Sequence, residues 1–288
     1  GLISRREINS TNMYNAGMKA LNKINKVSTT VNYCLVLALL VISLINTVTA
    51  SDKSDEPFRL TQCEEEIFRL VNEYRKSLIS EDSVLANDLE LGEIANRHGL
   101  DMINRNYFDH FSPEGTNPHQ RIMRQHHTQL VNSTGENIWL RDSDESTDSM
   151  VILANKMVTD WMHSKHHRDN ILSEEFNLIG ISVLQSGDWI VAVQNFVGSM
   201  GTVKPRIPDT LRRGETFSIS IGTSNMDVFN PRKFDLVMPD TETPVCDPIY
   251  LRVGHLDCPA GEYRLRLYFL SQDETHWEIY VGPVVTVL

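Results

Sequence analysis

Three histidines crowd the stretch Trp161–Leu172, WMHSKHHRDNIL: His163, His166 and His167. Imidazole titrates nearest neutral pH and is the commonest metal ligand among side chains. His163 and His167 stand four apart, as do the histidines of HExxH metalloproteases. Ser164 rather than glutamate follows His163, so the general base of that motif is missing and no third ligand follows at a set spacing. Ser164 and His167 could meet on one helical turn, and Glu136 would then complete a Ser–His–Glu set for nucleophilic catalysis. No glycine-rich nucleophile elbow surrounds Ser164, and serines near histidines are common. Two further stretches carry chemistry. YFDHFSPEGTNPHQRI sets His110 at the start of a Pro/Gly loop, where a rigid backbone suits ligation or proton transfer. GENIW sets Glu136 between Gly135 and the sequence Asn137-Ile138-Trp139, and a carboxylate entering an apolar segment is either paired or strongly perturbed. Each also has a plain structural reading: His110 as the cap of a helix end, Glu136 as the brace of a turn, His163 and His166 as solvated side chains.

The elements that must position these residues can be read from periodicity. TQCEEEIFRLVNEYRKSL predicts a helix with Thr61 and Glu64 as a capping box and Ile67, Leu70, Val71, Tyr74 and Leu78 on one face. A second helix is expected from Asp88, with Leu91, Ile94, Ala95, His98 and Met102 in one stripe. A third is expected from about Ser149 to Ser164, using Ile152, Met157, Val158 and Trp161. IGISVL and DWIVAVQNFVG are short, β-branched and nearly continuous in hydrophobicity, so they read as paired strands buried on both faces and joined at Gly187-Asp188. Helices on both sides of such strands give an α-β-α sandwich. GSMGTVKPRIP reads as a linker. Beyond it FSISI and YRLRLYF alternate cleanly, with Tyr263, Leu265, Leu267 and Phe269 facing one way and Arg264, Arg266 and Tyr268 the other. Such short strands predict a small all-β sandwich of immunoglobulin-like shape.

Composition narrows the partners. The 288 residues carry a formal charge of −11, and without residues 1–50 the balance is 22 basic against 37 acidic residues, net −15. An acidic surface repels phosphate backbones, so nucleic acid is not an expected partner. Lys19, Lys23 and Lys26 precede an apolar stretch from Tyr33 to Val48, and VTA places Val48 and Ala50 where signal peptidase requires small residues. This order predicts a secretory signal cleaved after Ala50. The alternative is an N-terminal membrane anchor, for which the stretch is shorter than the roughly 20 residues of a spanning helix. No stable transmembrane span is expected after cleavage, and residues 1–17, before Met18, are read as an extension outside the fold. Export permits disulfides. With Cys34 in the signal, Cys246 and Cys258 are the expected pair and Cys63 a buried free thiol. Asn132 opens an N-glycosylation sequon, NST, which matters only in a eukaryotic host.

Taken in order, LVNEYR, ANRHGLDM, YFDHFSPEGTNPHQRI, GENIW, WMHSKHHRDNIL, FNLIGISV and WIVAVQNF resemble the CAP superfamily of cysteine-rich secretory, antigen 5 and pathogenesis-related proteins. The chain looks like the bacterial, cysteine-poor SCP-like branch over about residues 62–198. The resemblance implies an α-β-α sandwich with a cleft of two histidines and two acids, in which some members hold a divalent metal. Carried over by motif, the histidines are His110 and His167 and the first acid is Glu136. Ser164 stands where the second acid lies, which bears on proton transfer more than on metal binding. Asn137, Arg121 and Arg168 fall at cleft positions, the two arginines as braces, and His163 and His166 are bystanders.

The chain is therefore read as α+β: residues 1–50 an extension and signal, 59–199 the CAP domain, 203–288 the β-sandwich. The expected function is a secreted, non-catalytic binding or effector module whose cleft takes a weakly held Zn2+ or other divalent cation, or a small ligand. The alternatives are a hydrolase using His110, Glu136 and His167, and a lipid-binding protein. A cell-surface component is a possible partner of the β-sandwich.

Overall fold

The computed structural model describes residues 56–142, 149–187, 189–222, 228–229, 231–239, 241, 243–271 and 274–288. The expected signal, its cleavage position after Ala50, the alternative anchor, Cys34 and Asp188 lie outside the described residues. Among the described residues no helix is long and apolar enough to cross a membrane.

The first region runs β1 (Phe58–Arg59), α1 (Thr61–Leu78), β2 (Ala86–Asn87), α2 (Leu89–Arg105), α3 (Pro118–Gln125), β3 (Gln129–Asp142), α4 (Met150–His163), α5 (Lys165–Leu172), β4 (Leu178–Ser186) and β5 (Trp189–Lys204). β4 and β5 form an antiparallel hairpin from Leu178↔Val197 to Ser186↔Trp189, and β3 pairs antiparallel with the other side of β5. Side chains alternate across a strand, so β5 serves two layers. Ile190, Ala192 and Phe196 join Ile67, Val71, Met157, Trp161 and Ile171 of α1, α4 and α5 in one core. Val191, Val193 and Val197 face the other way, onto Leu91, Ile94, Ala95, Met102 and Ile122 of α2 and α3. The predicted α-β-α layering follows from this alternation. Asp88 caps α2 by accepting from the Leu91 N–H at 2.8 Å. Asn117 and Gln120 form a reciprocal capping box on α3, with Pro118 in its first turn.

The second region contributes β6 (Thr210–Leu211), β7 (Ser220–Gly222), β8 (Val228–Phe229), β9 (Lys233–Val237), β10 (Ile249–Tyr250), β11 (Gly261–Leu270) and β12 (Trp277–Val287). Five of these make a sheet in the order β10-β9-β11-β12-β6, in which only the β12–β6 pairing is parallel. Its inner face carries Phe234, Leu236, Tyr263, Leu265, Leu267, Phe269 and Val285, as the alternation in YRLRLYF requires. That face packs on Leu130, Val203, Phe217, Ile219 and Ile221, which belong to the end of the first sheet and the chain leading into β7. Cys246 and Cys258 are joined. Cys63 is fully buried, and burial pushes its thiol up to about 12.

Three local expectations are corrected. The glycine-rich segment after Val197 is not a linker, because β5 continues through Lys204 and pairs with β7 from Thr202↔Gly222 to Lys204↔Ser220. Its glycines serve close approach: a Cβ on Gly201 would lie 2.7 Å from Ile221 Cγ2, and one on Gly198 would lie 2.3 Å from the Glu175 carbonyl oxygen. Thr61 and Glu64 form no capping box. β1 pairs with β4 and delivers the chain with Leu60 as the N-cap residue, while Glu64 Oε1 accepts from Val183 N–H and Arg59 Nε instead. The buried face of α1 therefore contains Cys63, Ile67, Leu70, Val71 and Arg75, and Leu78 is exposed. Within FSISI only Ser220 and Ile221 are strand, although Phe217, Ile219 and Ile221 are buried as their alternation demands.

Candidate functional site

The site forms where the sheet turns polar. At Glu136↔Asn195 and Asn137↔Gln194, β3 and β5 carry polar pairs in otherwise apolar strands. Alternation aims the two pairs at opposite layers. Glu136 lies on the α2 side with Ile138, and Asn137 on the α5 side with Trp139. β3 pairs with β5 and with no other described strand, so elements from both layers reach these residues around an edge.

Glu136 is the centre. Its side chain is 1% exposed. A buried carboxylate must be paired, and here both oxygens are. Oε2 accepts from Arg121 Nη2 at 2.7 Å and, with the Asn195 amide turned so that its nitrogen faces the carboxylate, from Asn195 Nδ2 at 3.2 Å. Oε1 faces His110 Nδ1 at 2.8 Å and His98 Nε2 at 3.9 Å. An ionised carboxylate only accepts, so Nδ1 of His110 carries a proton, and in the neutral ring Nε2 then keeps the lone pair. The His110 side chain is 41% exposed. The loop holding it is tied down twice. Arg121 Nη1 donates to the carbonyls of His110 (2.9 Å) and Thr116 (3.0 Å), and buried His98 Nε2 lies 3.1 Å from the Asp109 carbonyl.

The other layer presents His167. Asn137 Nδ2 donates to the His167 carbonyl and to Gln194 Oε1, both at 3.1 Å. Asn170 Nδ2 donates to Asn137 Oδ1 at 2.9 Å and to the Glu136 carbonyl at 3.1 Å. This amide network seats α5 on β3. Gly135 is required beside it, because a Cβ there would lie 2.8 Å from the Phe176 ring and 3.0 Å from Asn170 Oδ1. Burial, then the nearby charges of His110 and His166, pushes His167 below the ordinary histidine value. Burial pushes His98 down as well, against the raising effect of Glu136.

Hydrogen bonds thus join His110, Arg121 and Glu136 on one side of the sheet, and Asn137 with the His167 carbonyl on the other. Arg168 instead donates to the Met162 carbonyl at 3.0 Å, closing the end of α4. Ser164 is the break between two helices: it is the C-cap of α4 and the N-cap of α5, and makes no side-chain cap bond. His167 therefore sits on a separate short helix and not on the end of the expected one. No hydrogen bond joins Ser164 to His167 among the described residues. His163 and His166 are exposed. Among the described residues no group of three or more His, Cys, Asp or Glu side chains is placed to hold a metal ion. His98, Asn170, Gln194 and Asn195 were not singled out as site residues from the sequence. Their only sequence signal is polarity inside an apolar stripe or strand, as at Gln194-Asn195 within WIVAVQNFV.

A pocket of about 240 Å3 lies at the C-terminal end of α2, lined by Met102, Ile103, Asn106, Phe108, Leu140 and Trp189 among others.

Part of the chain is similar to known proteins. Residues 68–196 match the model of the cysteine-rich secretory protein family, CAP. The uncharacterized protein YkwD of Bacillus subtilis (strain 168) is 33% identical over 111 residues, which is 38% of each chain. The chain therefore spans well under half the length of that curated relative. Among solved structures, an outer surface protein from Borrelia burgdorferi is 21% identical at a TM-score of 0.41, covering 49% of this chain and 98% of that one. An extracellular SCP-domain protein from Bacillus anthracis str. Ames is 29% identical at a TM-score of 0.37, covering 46% and 39%.

Proposed function

Residues 68–196 belong to the CAP family, and from that premise we propose that the chain is an extracytoplasmic, non-catalytic binding module whose His110–Glu136–His167 cleft takes a divalent cation weakly. The observation that carries this reading is the orientation of His110. Glu136, itself fixed by Arg121 and Asn195, accepts from Nδ1 and leaves the Nε2 lone pair of a half-exposed ring for a ligand. A carboxylate behind a ligating histidine is the usual way to fix its tautomer and raise its basicity. His167 is favoured in its neutral, ligating form because burial and neighbouring imidazoles oppose its charging. The donor set fits the group only in part, since two imidazoles leave the remaining positions to solvent, and a labile ion is the consequence. A bound cation would supply Lewis acidity to a ligand beside Glu136. Ser164, where a second acid would lie, leaves proton transfer without a partner carboxylate and supports binding over catalysis. The Cys246–Cys258 disulfide supports an oxidising compartment.

Zinc titration calorimetry on residues 51–288 tests the reading. Weak single-site binding lost in both His110→Ala and His167→Ala is the expected result. Binding retained in both variants would remove the cleft as the site. A second reading, carriage of an apolar ligand, is favoured by the pocket under Phe108 and Trp189. A fluorescent fatty acid displaced by Trp189→Ala but not by His110→Ala would favour it.

A further inference from the structure

The outer face of the five-stranded sheet changes character along its length. At one end Val281 and Val284 of β12 pack on Ile122, Met123 and Val131 of the CAP region. At the other end a row of side chains crosses four strands in register, with half-buried Lys233 and Tyr268 set among exposed ones. Tyr250 pairs with Lys233, Lys233 with Tyr268, and Tyr268 with Ile279, and Trp277 stands two residues from Ile279 on the same face. Tyr250, Ile279 and Trp277 are 55%, 50% and 41% exposed. Strand spacing of about 4.8 Å makes the row about 14 Å long. That suits an extended polymer more than a single small molecule.

The row carries a cation. Lys233 Nζ lies 4.5 Å from the centre of the Tyr250 ring and 4.6 Å from that of Trp277, so two rings from opposite sides hold one ammonium. Tyr268 meets Trp277 edge to face at 6.5 Å. Its hydroxyl donates to buried Asp235, which also takes both arms of Arg266, at 2.9 and 2.5 Å. Asp235 is thereby neutralised beneath the row, and no carboxylate among the described residues lies within ion-pair distance of Lys233. Lys233 is thus an ammonium without a carboxylate partner among the described residues, in a chain of net charge −11.

We propose that this face is a docking platform for a polysaccharide bearing carboxylates. Sugar rings present C–H faces that stack on aromatic rings, and a ring carboxylate would meet the Lys233 ammonium that those rings hold in place. Charge complementarity selects an acidic glycan over a neutral one. An acidic peptide would offer the charge without a stacking face. The platform lies outside the His110 cleft, so its failure and that of the proposed cation site are separable.

Affinity electrophoresis of residues 51–288 in gels containing polygalacturonate, beside gels containing neutral galactan, tests the proposal. Retardation by polygalacturonate alone is expected. Trp277→Ala and Tyr250→Ala should each weaken it about tenfold, the scale of one lost aromatic contact. Lys233→Met, which keeps the stem and removes the charge, should abolish it. Tyr250 is half exposed on a two-residue edge strand, so that variant keeps the test valid if Trp277→Ala fails to fold. All three variants should retain the zinc response of the parent. Absence of retardation, equal retardation by galactan, or unchanged retardation in Lys233→Met would each overturn the proposal, as would binding to anionic lipid vesicles in place of polygalacturonate.

Discussion

Two pairs of histidines in this chain have opposite fates. His110 is 41% exposed and one of its nitrogens faces Glu136, while His167 lies half-buried on α5, its carbonyl held by Asn137. His126 and His127 are adjacent in sequence and fully buried, at 0% and 1% exposure. His127 Nδ1 lies 3.0 Å from the Ile207 carbonyl and its Nε2 3.2 Å from that of Arg124, and the Ile207 N–H returns a bond to the His127 carbonyl. His126 Nε2 lies 3.1 Å from Asp88 Oδ1, and its Nδ1 lies 3.4 Å from both Glu90 Oε2 and Thr128 Oγ1. The second pair lies between α2 and the chain that leaves β5, although buried His126 Nε2 faces Asp88 without making a hydrogen bond. Residue type is the same in both pairs, and what differs is burial.

That contrast can be broken or sharpened by substitution. The largest effect is expected at the cleft's buried half. Glu136→Ala leaves the Arg121 guanidinium buried without its carboxylate and should cost about 3–5 kcal/mol in urea unfolding. A loss under about 1 kcal/mol would mean that solvent reaches Arg121 and that the cleft has no rigid floor. His127→Leu removes the ring N–H that serves one of the two facing carbonyls and should cost about 1–3 kcal/mol while leaving zinc affinity unchanged. Zinc binding lost along with stability would erase the distinction between the two pairs.

A pH dependence separates buried from exposed imidazoles as well. Burial holds His98 and His119 below the ordinary histidine value. The folded chain then binds fewer protons than the unfolded chain as pH falls through that range. Their contribution to stability is whole above about pH 6.5 and is lost progressively below it. The urea midpoint should fall between about pH 7.5 and about pH 5.5, and less so in His98→Gln. A midpoint that rises on acidification would contradict this sign. His110→Ala removes the close partner of buried Glu136 Oε1 and should cost about 1–3 kcal/mol while also removing zinc binding. The smallest effect is expected for His163→Ala and His166→Ala, whose exposed rings should alter neither quantity. A change in zinc affinity at either would move the ligand assignment within the cluster.

What the sequence determined by itself is what depends on near neighbours along the chain. The stripe Leu91, Ile94, Ala95, His98 and Met102, the β4–β5 hairpin and the inward set Tyr263, Leu265, Leu267 and Phe269 all follow from periods of 3.6 or 2. The motif order pointed to His110, Glu136 and His167 because a family pattern stores contacts that spacing does not. Tertiary structure alone decided the rest. Glu64 abandons its capping box for Val183, more than a hundred residues away, because β1 pairing fixes the entry to α1. The segment after Val197 has a linker's composition, yet it remains strand because β7 and the second core cover Val203. Asn195 meets Glu136, and Asn137 meets Gln194, through strand register. His126 and His127 read as two more polar residues until Asp88, Glu90 and Ile207 arrive around them. Local sequence sets which face a side chain takes. Whether that face meets water, a carboxylate or a carbonyl is set by segments far along the chain, and that contact decides whether a histidine braces the fold or is left to bind.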